Sequence, residues 1–196
     1  MSTLISRFNS SYRCISSTRC LAITAMFVAL KTAMTLCGLT IRLTPSLRID
    51  FGFICSAGIA MLFGPVMAML SGACMDILGY FAGNFTMGGY FPGYTVTAVL
   101  SGLIYGLWLY HPDVKDISKG KKILYVICAK TSINLICNVC LNTLWLVVQS
   151  GNAMSLLLPP RLIKNIICLP FECIILFFAM EFLTSFQKHL RIPSTK

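Results

Sequence analysis

Six apolar stretches, most of them close to the length that crosses a lipid bilayer and the second shorter, follow one another along this chain with short connections between them. A bilayer core about 30 Å thick takes about 20 apolar residues in an α-helix. Of the 196 residues, 57% are hydrophobic and 11% charged, and the mean hydropathy is +0.80. That leaves too little polar surface to coat a water-soluble domain. The expected fold is therefore an all-α membrane protein, a bundle of six transmembrane helices. The helices are placed at Leu21–Leu39, Phe51–Phe63, Val66–Ala82, Tyr94–Tyr110, Ile123–Val148 and Leu162–Phe182, with Gly64-Pro65 as a tight break between the second and third. Residues 1–18 form an N-terminal segment, 19–185 the transmembrane domain and 186–196 a tail. Lys31 interrupts the first stretch and no A-x-A site follows it, so it reads as a retained helix and not a cleaved signal peptide.

The net charge of +10 follows membrane topology and not a nucleic-acid face. Arg7, Arg13 and Arg19 precede the first helix, Lys115, Lys119, Lys121 and Lys122 lie between the fourth and fifth, and Lys188, Arg191 and Lys196 follow the sixth. Only Arg42, Arg48 and Arg161 fall on the opposite side. Basic residues in short loops are retained inside, so both termini are expected in the cytoplasm. Most of the ten cysteines sit within apolar stretches. Even the Cys137 and Cys140 pair lies mid-helix without a second pair, which reads as small buried hydrophobes and no metal site.

Small residues mark close helix approaches: Ala22, Ala25, Ala29 and Ala33 on the first helix, and Gly102 with Gly106 on the fourth. For the alanine stripe, packing within the chain and docking of another subunit both stand. No internal repeat of inverted halves is evident, which argues against a self-sufficient secondary transporter.

Charges in hydrocarbon cost several kcal/mol unless paired or wet, so Lys31, Asp76, Lys130, Lys164, Glu172 and Glu181 each require a reason. A Lys31–Glu172 or Lys31–Asp76 pair and a ligand role are both open. On the fifth helix Lys130, Asn134, Asn138 and Asn142 recur at i+4, one face of polar groups continued by Trp145 and Gln149. Facing lipid, such a ladder is untenable, so it glues helices together or walls a polar cavity. Arg161, Lys164, Asn165 and Cys168 begin the sixth helix at the same outer end. Cations, amides and the aromatics Tyr90, Phe91, Tyr94 and Trp145 suit a flat heteroaromatic ligand that carries carboxylates. The segment from Arg42 to Asp50, with Arg48 and Pro45, is a candidate lid. Catalytic signatures are absent: no H-E-x-x-H, G-x-S-x-G or G-x-x-x-x-G-K-[ST] is present, so no enzymatic activity and no cofactor are expected, and import would draw its energy from another protein.

Several segments carry a family likeness: Leu47 to Ile54, Met61-Leu62-Phe63-Gly64-Pro65, Asp76 to Tyr80, Phe91-Pro92-Gly93-Tyr94-Thr95 with Gly102 to Gly106, and Arg161-Leu162-Ile163-Lys164-Asn165 with Pro170-Phe171-Glu172. In these the chain resembles the membrane-embedded substrate-binding (S) components of energy-coupling factor vitamin transporters, most closely the folate-specific type. The resemblance implies a multi-pass protein of a bacterial cell membrane, an outward-facing pocket near helices four to six, and folate as ligand. It also implies that the stripe around Ala25 and Ala29 docks on a transmembrane coupling protein driven by two cytoplasmic ATPases. Another anionic vitamin such as pantothenate, a small membrane enzyme, or an assembly subunit are the alternatives.

Overall fold

The computed structural model of the chain describes residues 2–38, 40–44, 47–82, 89–110, 119–151 and 154–190, with the side chains at 2–6, 40–44, 47–50, 119, 150, 155–157 and 186–190 outside the description. Helix α1 covers Ser2–Ile15, α2 Thr18–Leu36, α3 Gly52–Phe63, α4 Pro65–Phe81 and α5 Pro92–Leu109. Helix α6, Lys119–Ile133, continues into a π-helical stretch, Asn134–Leu141, and then into α7, Asn142–Ser150. Helix α8 spans Met154–Leu190 and takes Pro159, Pro160 and Pro170 into its length. Strands β1 (Thr40–Thr44) and β2 (Leu47–Asp50) pair antiparallel with Arg42 opposite Arg48.

The helical class agrees with the sequence, with three additions. The N-terminal segment contains α1, the lid segment is a β-ribbon, and the fifth stretch changes helix type midway. The ribbon is a departure from an all-α reading. Of the basic residues used to orient the chain, Lys115, Arg191 and Lys196 lie outside the described residues, as do the side chains of Arg42, Arg48, Lys119 and Lys188.

Among the described residues, three helices are long and apolar enough to cross a membrane: Thr18–Leu36, Gly120–Gln149 and Leu158–Ser185. Helix α3, with 12 residues, is only about 18 Å long. It is nevertheless the centre of the packing, since every residue from Ala57 to Phe63 is buried. Neighbouring helices, not lipid, enclose it. The outside is apolar as well: Ile163, Ile167, Phe171, Ile174, Phe178 and Phe182 form an exposed stripe down α8 at three- and four-residue steps. Such a stripe is stable only where acyl chains solvate it.

Two local devices hold this core. At the corner between α3 and α4, Gly64 takes φ 84°, which a glycine adopts without a Cβ clash, and Pro65 opens α4 where its missing N–H costs nothing. Ser11 of α1, wholly buried, donates to the Phe63 carbonyl at 2.7 Å and accepts from the Val66 and Met67 N–H groups at 3.0 and 3.3 Å. It thereby satisfies helix-end groups that the corner leaves without intrahelical partners. Arg7 donates to the Leu107 carbonyl at 3.1 Å, closing the end of α5 in the same way. Near the same turn, burial and then the adjoining Cys20 push the Cys14 thiol up to about 12, so it stays protonated and unreactive at neutral pH.

The second device is direct backbone contact between α4 and α5. A Cβ at Gly102 would stand 2.4 Å from the Ala68 carbonyl oxygen, and one at Gly106 would stand 2.4 Å from Pro65 Cα. The G-x-x-x-G pair is therefore an internal packing face.

Candidate functional site

A cavity of about 500 Å³ opens among α2 to α8. Its walls carry four cations, Lys31, Lys130, Arg161 and Lys164, against two carboxylates, Asp76 and Glu172. The imbalance of two positive charges in a low-dielectric setting attracts an anion. Tyr94, Thr97, Ser101, Tyr105, Asn138, Asn142 and Asn165 supply neutral polar groups to the same walls, and Phe53 an aromatic face.

Helix α6 and its π-helical continuation position the core of the site. Lys130, 3% exposed, places Nζ 3.1 Å from Glu172 Oε2 and 3.5 Å from the centroid of the Phe53 ring. Asn134 Nδ2 reaches the same carboxylate oxygen at 3.5 Å, Asn138 Nδ2 donates to Asn134 Oδ1 at 2.7 Å, and Asn142 Nδ2 to Asn138 Oδ1 at 3.4 Å. An i+4 ladder drifts about 40° per step around an α-helix of 3.6 residues per turn, whereas the wider π turn drifts it the other way. Combining the two keeps the amides in line along one wall.

The sequence-predicted residues separate into walls and supports. Asp76, Tyr94, Asn138, Arg161, Lys164 and Glu172 line the cavity. Asn134 is buried behind it and braces Asn138. Trp145 donates Nε1–H to Thr97 Oγ1 at 3.0 Å and packs on Phe91, whose ring also meets Tyr94 at 6.0 Å. These aromatics form one cluster, of which Tyr94 reaches the cavity, its hydroxyl 3.4 Å from Gln149 Oε1. Tyr90 is half-exposed and hydrogen-bonds Thr95, which donates to Asp76 Oδ2 at 2.7 Å, so Tyr90 acts through Thr95 on Asp76.

Glu172 and Glu181 find partners that sequence did not assign. Glu172 meets Lys130, Glu181 meets Lys122 at 3.2 Å, and Lys31 Nζ lies 3.5 Å from Ser56 Oγ. Lys31, Ser56, Thr97, Ser101, Tyr105 and Asn142 are wall residues absent from the predicted site. Asn142 was signalled by its place in the ladder, and Tyr105 only by lying between the two packing glycines.

On the outer surface Ala22, Ala25, Ala29 and Ala33 are all exposed on α2. The last three border an apolar groove of about 670 Å³ whose other wall is Met67, Leu70, Cys74 and Leu78 of α4. The stripe does not pack within the bundle.

A membrane-embedded helical bundle that encloses one polar, cation-rich cavity is a ligand-capture protein. The family model for the ECF transporter, substrate-specific component, matches residues 19–180, and the chain belongs to that family, whose members bind transport substrates and are not enzymes. It is similar to a folate transporter FolT of Clostridium novyi (strain NT), 36% identical over 138 residues, 70% of this chain and 75% of that protein. It is also similar to a folate transporter FolT of Leuconostoc mesenteroides subsp. mesenteroides, 33% identical over 169 residues, 84% of this chain and 85% of that protein. A crystal structure of FolT bound with folic acid matches with a TM-score of 0.68 and 30% identity, over 83% of this chain and 93% of the other.

Removing one partner of a buried ion pair costs about 3–5 kcal/mol, while replacing both with apolar groups costs little. Glu172→Ala, which takes from Lys130 its carboxylate at 3.1 Å, is expected to lower the unfolding temperature in detergent sharply. The double variant Lys130→Met with Glu172→Leu should recover most of that loss. A double variant as unstable as the single one would mean that the pair is not what holds α6 to α8.

Proposed function

We propose that this chain captures folate outside the cell and delivers it inward as the substrate-binding subunit of an ATP-driven importer. The observation that carries the reading is the excess of cations over carboxylates in a cavity also lined by amides, hydroxyls and aromatic rings. Folate combines a flat heterocycle with an acidic tail, and Arg161 and Lys164 are the groups assigned to that tail. On α8 they precede Glu172 by 11 and 8 residues, or about 16 and 12 Å of helix. The two cations and Glu172 are thus set apart along one wall of the cavity. The names of the similar transporters support the same ligand.

Six crossings, with both termini in the cytoplasm, belong to this reading, supported by the ten basic residues on one side. The segment from Arg42 to Asp50, with Arg48, serves as lid in this reading. The exposed alanine stripe Ala22, Ala25, Ala29 and Ala33 is the docking face for a transmembrane coupling protein, and two cytoplasmic ATPases supply the energy through it. Small side chains support this because they let a partner helix approach closely.

Three measurements check the reading. A cysteine at Lys115, in a background freed of reactive native thiols, should resist impermeant thiol reagents in intact cells, and ready labelling would invert the topology. Arg161→Ala and Lys164→Ala should each weaken folate binding by the purified protein about tenfold or more. Parent-like titrations in both would remove the cations from the pocket. Ala29→Leu should leave folate binding intact while abolishing uptake with the partners present, whereas unimpaired uptake would exclude the docking role.

A further inference from the structure

We infer that the Tyr105 hydroxyl and the Asn142 carboxamide oxygen read the heterocyclic part of the ligand, as two polar groups left without protein partners in the cavity wall. The inference rests on the folate reading and gives these two side chains a ligand role that the sequence pattern and the family likeness did not assign them. Among the described residues, three buried side-chain atoms lack a hydrogen-bond partner: Tyr105 Oη, Asn142 Oδ1 and Thr143 Oγ1. Native interiors leave few such atoms, because each costs about 1–3 kcal/mol. Two of the three, Tyr105 and Asn142, line the same cavity, and Thr143 does not.

The chemistry of the ladder fixes what Asn142 offers. An ionised carboxylate only accepts hydrogen bonds, so Asn134 must turn its NH₂ to Glu172. Its oxygen then faces Asn138, which must answer with its own NH₂, and Asn142 follows suit. The orientation of all three amides is therefore dictated by Glu172, which Lys130 holds in place. The ladder ends in one free acceptor, Asn142 Oδ1, and the partner it selects is an N–H donor. Glu172 is a positioning residue in this scheme: it sets the polarity of a recognition atom two helical turns away from Asn134. Tyr105, 2% exposed, offers a rigid phenol that donates to a ring nitrogen or carbonyl oxygen. A flat heterocycle bearing both N–H donors and ring acceptors carries the complements of both groups. An ionised aliphatic acid, which only accepts, leaves Asn142 Oδ1 without a donor.

Isosteric variants test this by titrating folate into the purified full-length protein and following thermal unfolding without ligand. Tyr105→Phe removes a hydroxyl that bonds no protein atom, so the ligand-free unfolding temperature should hold or rise while folate affinity falls about tenfold or more. Asn142→Leu should weaken folate similarly. Thr143→Val, which deletes the third unpartnered atom away from the cavity, should leave affinity unchanged. Parent-like affinity in Tyr105→Phe, or an equal loss in Thr143→Val, overturns the inference while the folate reading stands. A parent protein with no saturable folate binding overturns the folate reading and this inference with it. Asn142→Leu also takes a donor from Asn138, so Tyr105→Phe decides the outcome if that variant does not fold.

Discussion

The Glu172 carboxylate, held between Lys130 and Asn134 where water is scarce, is the contact on which the functional half of the molecule depends. A buried charge is tolerable only when its partners are close and its lone pairs are used. Meeting that demand fixes the separation of α6 and α8 and lines up the amides above it. It also leaves a polar wall on one side of a gap that apolar side chains would otherwise have closed.

The other half of the molecule supplies rigidity by a different means. Helices α4 and α5 touch through their backbones at Gly72, Gly102 and Gly106, where side chains of any size would push them apart. In lipid there is little hydrophobic gain from bringing two helices together, so close van der Waals packing does that work. Ser11 and Arg7 of α1 then complete hydrogen bonds at the ends of α3, α4 and α5. Asp76 on α4 and Tyr94, Thr97 and Tyr105 on α5 are carried on this stiff pair, which gives the cavity a wall that holds its shape while a ligand binds.

Function divides along the same line. Polar side chains gather on the walls of the cavity, and the lipid-facing stripe of α8 is apolar, with one face of small residues exposed on α2. A lipid-facing helix has no need of alanines at regular steps, since larger side chains are equally well solvated there. That asymmetry sets the polar cavity apart from the small-residue face on the surface. The separation is what lets a capture subunit have no catalytic machinery of its own.

Sequence by itself determined the helical class, the apolar stretches, the Gly64-Pro65 break and the polar line from Lys130 to Asn142, because each is a local pattern of hydropathy or spacing. It also brought Arg161 and Lys164 to the cavity's end of the chain, since one face of one helix is legible from residue spacing alone. Tertiary structure decided which charges meet. Lys31 and Lys130 are equally buried by hydropathy, and only the packing of α6 on α8 gives Glu172 to Lys130. It alone assigned Asn134 to bracing and Asn142 to the wall, turned the lid segment into a ribbon, and put the alanine stripe outside and the glycine pair inside. Tyr105 was illegible for the same reason: a tyrosine in an apolar stretch is an ordinary core residue until the groups around its hydroxyl are known, and those groups come from helices distant in sequence.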